Sequence, residues 1–211
     1  MSALDQLGQV TRSIRSVEYE GQPARCLVAE QTYPTDIDDL WNAVTDPDRI
    51  GRWFLPVSGD LREGGQYRVE GNANGTVLSC DPPRGYRITW EFGGEVTWVK
   101  VSLSSAGAAT TFTLEHIAHV DESRWSEFGP GAVGMGWDSG LLGLALHLTS
   151  GATMDPAEAM VWMQSEEGRA FLTTSSEGWR QADVAFGTDP DVAAAAAARC
   201  LAAYTGEPTG S

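Results

Sequence analysis

Residues 86–103 hold two runs rich in aromatic and β-branched side chains, joined by the dipeptide Gly93-Gly94. Such a loop favours a tight hairpin, because both central residues take positive φ without a Cβ clash. The hairpin sets Phe92 opposite Glu95, Trp90 opposite Thr97 and Ile88 opposite Val99. Alternation along each strand assigns Tyr86, Ile88, Trp90, Phe92, Val99, Val101 and Leu103 to a core face. Arg87, Thr89, Glu91, Trp98 and Lys100 fall on the other. The same register places Arg87 against Lys100, a like-charge pair that a bulge or another turn would relieve.

The hairpin extends into a meander over residues 65–120. Asn74-Gly75 predicts a second tight turn, pairing Val69 with Cys80 and Gly71 with Leu78 on one face and Arg68 with Asp81 on the other. Asp81-Pro82-Pro83 supplies the next turn and residues 104–108 the last. The closing strand, residues 110–120, puts Phe112, Leu114, His116 and Ala118 on one face, opposite Thr111, Thr113, Glu115 and His119. Consecutive strands joined by short turns are antiparallel, since a parallel sheet needs crossovers. Upstream, residues 10–33 alternate loosely around Gly21-Gln22-Pro23, suggesting a strand pair or one interrupted strand.

An amphipathic sheet must cover one face. Residues 131–148 are the expected cover, with Val133, Trp137, Leu141, Leu144 and Leu148 in a helical stripe that Leu142 and Leu146 widen. Burying five or six such side chains would stabilise the fold by roughly 10 kcal/mol before entropy. Two short helices precede the meander. Thr35 is the expected cap of the first, whose stripe is Ile37, Leu40, Trp41 and Val44, and Asp46-Pro47 starts the second. Beyond Ser150 the pattern is helical only, with cap-plus-proline starts at Asp155-Pro156 and Asp189-Pro190. Leu172, Ser176, Trp179, Asp183 and Phe186 share a face between them. The chain thus divides into an α+β domain over 1–150 and a helical extension over 151–211, packed on the domain or on a partner subunit.

The formal charge of −15, with Lys100 the sole lysine, argues against nucleic-acid binding, which needs a basic face. No run approaches the roughly 18 apolar residues of a membrane helix. Residues 1–10 lack a basic head and an apolar stretch, so no signal peptide is expected. Cys26, Cys80 and Cys200 are odd in number and follow no paired spacing, which suits reduced thiols in a cytoplasmic protein.

Several short motifs invite functional readings and fail on context. Gly129-Pro130-Gly131-Ala132-Val133-Gly134 fits G-x-G-x-x-G, but that fingerprint needs a parallel strand–turn–helix unit, so loop and helix-start glycines explain it better. Asn74-Gly75-Thr76 fits a glycosylation acceptor only in a secreted chain. His116 and His119, three apart on a strand, lie on opposite faces and cannot share a metal. No nucleophile elbow, phosphate loop or zinc motif occurs, so no metal and no cofactor is expected.

Taken together, Tyr33 to Pro56 with Trp41-Asn42-Ala43-Val44-Thr45-Asp46-Pro47, Trp53 before Pro56, Pro82-Pro83 ahead of Thr89-Trp90-Glu91, Thr113-Leu114-Glu115-His116, and Gly136-Trp137 resemble the SRPBCC superfamily. The matching branch is related to the C-terminal domain of the activator of heat-shock-protein-90 ATPase, and the resemblance covers about residues 24–148. It implies a helix-grip fold of the Bet v 1/START-like kind, a curved antiparallel sheet around a long helix with an apolar cavity between them. Members include lipid and hormone binders, polyketide cyclases and co-chaperone domains, so the fold alone does not fix the function.

Within that frame the expected ligand-binding cavity is formed by Tyr67, Val69, Leu78, Trp90, Phe92, Leu114 and His116, facing Trp137 and Leu141. The resemblance places Trp53 and Phe54 near its mouth. The plain alternative is that these side chains simply fill the core. His116 is the one titratable group expected inside. It would serve as a polar anchor, or as a general base if a second polar group stood beside it. No inward carboxylate is expected there, so the reading leans away from an enzyme and assigns no catalytic residue.

The first reading is therefore a binding domain for a small apolar or aromatic molecule. The alternatives are a cyclase- or hydratase-like enzyme using the cavity, and a co-chaperone-type module with a chaperone partner. A homodimer is compatible with the helical extension. Arg68, Asp81, Arg87 and Glu91 read as a solvated outer face, with a partner surface as the second reading because Trp98 is expected to be exposed among them.

Overall fold

The computed structural model describes residues 2–206. In chain order the elements are α1 (Ala3–Leu7), β1 (Thr11–Tyr19), β2 (Gln22–Tyr33), α2 (Ile37–Thr45), α3 (Pro47–Trp53), β3 (Val57–Gly59), β4 (Gln66–Val69), β5 (Asn74–Asp81), β6 (Gly85–Phe92), β7 (Glu95–Ala106) and β8 (Ala109–His119). The helices α4 (Glu122–Phe128), α5 (Gly131–Ser150), α6 (Pro156–Gln164), α7 (Glu166–Phe186) and α8 (Pro190–Thr205) follow. The strands form one curved antiparallel sheet in the order β1-β2-β8-β7-β6-β5-β4-β3. The N-terminal hairpin thus inserts beside the last strand of the meander. Among the described residues no helix is long and apolar enough to cross a membrane.

The Gly93-Gly94 hairpin adopts the expected register, with Phe92 against Glu95, Trp90 against Thr97 and Ile88 against Val99. Arg87 does stand opposite Lys100. No bulge is needed, because each cation finds its own partner sideways. Lys100 Nζ lies 2.6 Å from a carboxylate oxygen of Glu115, its neighbour on β8. Arg87 Nε donates to Ser79 Oγ at 3.2 Å on β5.

Two expectations of burial change in this ribbon. Phe92 ends β6 beyond the cover of any helix and is 58% exposed. Trp98, expected in solvent, is buried on the outer face between Tyr19, at 4.5 Å ring to ring, and His119, at 4.9 Å. The first strand curls over that face and hides the indole, which removes the argument for a partner surface there.

The second hairpin departs further from expectation. Its turn lies at residues 70–73, with Gly71 at φ 67°, and Asn74-Gly75 belongs to β5. Arg68 pairs with Asn74 and Tyr67 with Gly75, so the Val69–Cys80, Gly71–Leu78 and Arg68–Asp81 pairs do not form. Gly75 is needed for close approach rather than for turning, because a Cβ there would lie 2.2 Å from the Thr89 carbonyl oxygen. A shift of register between Val77 and Ser79 then turns Val77 and Cys80 inward and Leu78 out. Gly75→Ala should lower stability by roughly 1–3 kcal/mol by forcing β5 from β6, as overpacking does. A shift of the urea midpoint at unchanged slope would register it.

The helices follow their caps. Asp36, one residue after Thr35, caps α2 by accepting from the Asp39 amide at 2.8 Å, while Thr35 Oγ1 donates to the Asp39 carboxylate at 2.7 Å. Asp46, Asp155 and Asp189 each cap a helix whose first turn holds proline. The last meander turn falls at Gly107-Ala108, because β7 runs on to Ala106. Two short helices, α1 and α4, were not anticipated.

Helix α5 packs on β2 and α3 and is flanked by α1, α7 and α8. Being covered from several sides explains why its apolar residues exceed a single stripe. Leu141, Leu142 and Leu144 are buried, but Val133 and Leu146 are exposed, against the expected stripe. Helix α7 lies against β1, α1 and α5, and its buried side chains include Phe171, Leu172 and Trp179. The Gly129–Gly134 segment bridges α4 and α5, with Gly131 against Cys200 and Gly134 against Trp179.

Candidate functional site

Two hollows lie between the sheet and the helices. The first, about 340 Å³, sits between the inner face of β4–β8 and the helices α2, α3 and α5. Trp53, Phe54, Tyr67, Val69, Trp90, Leu114, Trp137 and Leu141 all line it. Leu78 does not, because the bulge in β5 substitutes Val77. Phe92 and His116 do not either. They border the second hollow, about 420 Å³, beneath the β6–β7 hairpin and between β8, α4 and the start of α5.

Phe54, Trp90 and Trp137 border both hollows and form the wall between them. Phe54 stacks on Trp137 at 6.1 Å with an interplanar angle of 16°, and Trp90 lies 5.1 Å from Trp137 at 60°. Trp137 is fixed by its Nε1–H, which donates to His116 Nδ1 at 3.1 Å. Sequence periodicity finds each of these rings but cannot show that they divide one space into two.

Polar groups near the first hollow are turned away from it or kept neutral. Trp53 Nε1 donates to the Ala43 carbonyl at 2.9 Å and Tyr67 Oη to the Thr89 carbonyl at 2.6 Å. Burial raises the pKa of Tyr67 and Tyr86, so both phenols stay protonated. Burial also raises that of Cys80, which favours the protonated thiol. Trp41, Ile50, Val101 and Phe112 are among the other residues that line it. Trp41 and Phe112 lie on apolar faces that the sequence pattern shows, while Ile50 has no such signal.

His116 is 4% exposed and burial lowers its pKa to about 4, so it is neutral at physiological pH. Among the described residues, the side chain bonded to its ring is an indole, and no carboxylate shifts its pKa. His119 turns to the outer face, its Nε2 within 3.1 Å of the Tyr19 carbonyl. Among the described residues no cluster of histidine, cysteine and carboxylate could hold a metal ion.

Residues 34–149, more than half of the chain, match the family described as Activator of Hsp90 ATPase homolog 1-like protein. The chain belongs to this family. Its fold is the SRPBCC, or Bet v 1-like, helix grip. Among solved structures this family member resembles CalU16 from Micromonospora echinospora, at 31% identity. The CalU16 crystal structure superposes with a TM-score of 0.67 over 83% of this chain and 98% of that one. Its solution structure gives 0.70 over 85% and 97%. The match to CalU16 therefore takes in more of the chain than the family segment does. DynU16, a protein of the dynemicin biosynthetic locus, is 24% identical with a TM-score of 0.53, over 61% of this chain and 48% of its own length. That likeness is one of fold alone. No curated protein matches the chain.

Proposed function

We propose that this protein binds a small apolar or aromatic molecule in the first hollow, between the sheet and α5. The observation that carries the reading is the hollow itself: about 340 Å³ walled by aliphatic and aromatic side chains, with the polar atoms of Trp53 and Tyr67 bonded elsewhere. Apolar concavities of this kind, with few polar groups, are the usual form of small-molecule sites. His116 meets an indole instead of a carboxylate, which favours binding over a cyclase- or hydratase-like acid–base reaction at this residue.

A ligand at about 100 times its Kd stabilises a protein by about 2.7 kcal/mol, which raises Tm by roughly 5–10 °C for a chain of this size. Thermal shifts across a panel of lipids and aromatic metabolites are the test. The wild-type chain should respond to at least one member. Val101→Phe, which fills the hollow from β7, should fold and lose that response. A panel without any shift speaks against the reading.

The family description supports a second reading, a chaperone ATPase as partner. Retention of this chain on an immobilised Hsp90-type ATPase would support it. The division into a 1–150 domain and a 151–211 extension, packed on the domain, belongs to the same proposal. A cytoplasmic location and reduced Cys26, Cys80 and Cys200 are consistent with it.

A further inference from the structure

The second hollow has a different chemistry from the first. Its walls include the rings of Trp90, Phe92, Trp125, Trp137 and Tyr204, the last contributed by α8. Among them His116 presents a donor whose identity follows from its neighbour. An indole nitrogen can only donate, so the bond from Trp137 makes Nδ1 of His116 an acceptor. A neutral imidazole with an accepting Nδ1 carries its proton on Nε2. The lowered pKa of this buried ring agrees with the neutral form.

Among the described residues that Nε2–H has no protein partner. The side-chain atoms that are both sealed from solvent and unpartnered, among the described residues, are Gln6 Oε1 and Arg25 Nη1. His116 Nε2 is therefore open, and the hollow that His116 borders is the second. Most other polar side chains around it are already engaged. Arg124 pairs with Glu95, Arg25 with Glu122, and Asp121 accepts from the first amides of α4. Thr97 donates to the Trp90 carbonyl and His119 meets that of Tyr19. Asn72 lies at the exposed rim. His116 Nε2–H is thus an open, deep donor among aromatic faces, beside the indole of Trp90, in a hollow whose arginines each have a carboxylate partner.

We propose that the second hollow is a subsite for a neutral hydrogen-bond acceptor, a ketone or quinone carbonyl on a flat aromatic molecule, with His116 Nε2–H as the donor. This deepens the binding reading above and rests on it. Trp137 lines both hollows and fixes the tautomer at the same time, so one ring couples the apolar compartment to the acceptor site.

The test compares 9-fluorenone with fluorene, flat tricyclic probes that differ at one carbon, by calorimetric titration of the full chain. A buried donor left unmet is costly, so fluorenone should bind roughly tenfold tighter. In protein labelled with ring-¹⁵N histidine, the His116 Nε2 signal should show a bound proton and should move with fluorenone and not with fluorene. His116→Phe should equalise the two affinities. If that variant does not fold, the wild-type signal decides. Equal affinities, an unmoved Nε2 signal or a proton on Nδ1 would each overturn the subsite and leave the apolar reading intact. Binding of neither probe would overturn both.

Discussion

Replacing Asp138 with alanine is expected to destabilise the fold by about 3–5 kcal/mol, the usual cost of stranding one partner of a buried ion pair. Asp138 lies in the middle of α5 with no exposure. Its carboxylate accepts from Arg12 Nε at 3.1 Å, from Ser175 Oγ at 2.5 Å and from Trp179 Nε1 at 3.1 Å. These partners come from β1 and α7, so one carboxylate joins three elements. Without it Arg12, whose side chain is 10% exposed, keeps only the carbonyls of Val10 at 3.0 Å and Leu7 at 3.4 Å.

Burial raises the Asp138 pKa against the pull of Arg12, Ser175 and Trp179. The node is thus worth less in itself than the damage done by halving it. Urea unfolding of Asp138→Ala, Arg12→Met and the Arg12→Met/Asp138→Leu pair separates the two quantities. The double variant should recover most of the loss. An Asp138→Ala protein within about 1 kcal/mol of wild type would mean that the node carries little.

Acidification should cost the fold about 3 kcal/mol through His116 alone. Burial depresses its pKa from an ordinary 6.5 to about 4. Between those values the unfolded chain binds a proton that the folded one refuses. Stability from this residue is therefore complete above about pH 6.5, falls as the pH drops toward 4, and levels off below. Protonating Nδ1 would also set a donor against the Trp137 indole N–H. Carboxylates titrate over the lower part of this window, so the quantity to measure is the difference between wild type and His116→Phe. Stability curves that run parallel from pH 7 to pH 4 would contradict the assignment.

How much of this was legible from the sequence depended on how local the cause was. The Gly93-Gly94 register is set by a turn and by alternation, both contained in eighteen residues, and it holds at every pair from Tyr86 to Phe92. The proline-led helix starts at Asp46, Asp155 and Asp189 are equally local. Asn74-Gly75 misled because a glycine needed to pass under Thr89 looks like a glycine needed to turn. The bulge that follows it reversed the sides of Leu78 and Val77.

Trp98 was misplaced because its cover, Tyr19, arrives from a strand that alternation cannot dock. Phe92 has the pattern of a core residue but ends β6 at the rim of the second hollow, where it is mostly exposed. The Asp138 node left almost no local trace, since Arg12 stands 126 residues away and Trp179 another 41 beyond Asp138. The one available hint was a carboxylate on an otherwise apolar helix.

That spacing bears on how the protein is made. The ribosome delivers β1 long before the helix that shelters it, and α1 and Arg12 meet their last neighbours only when α7 emerges. Until then the nascent chain carries an unfinished flank at its own beginning, in a protein whose first and final thirds mature together. Any factor that attends its synthesis would meet that flank, rather than the sheet's hollow face, as the late-closing surface.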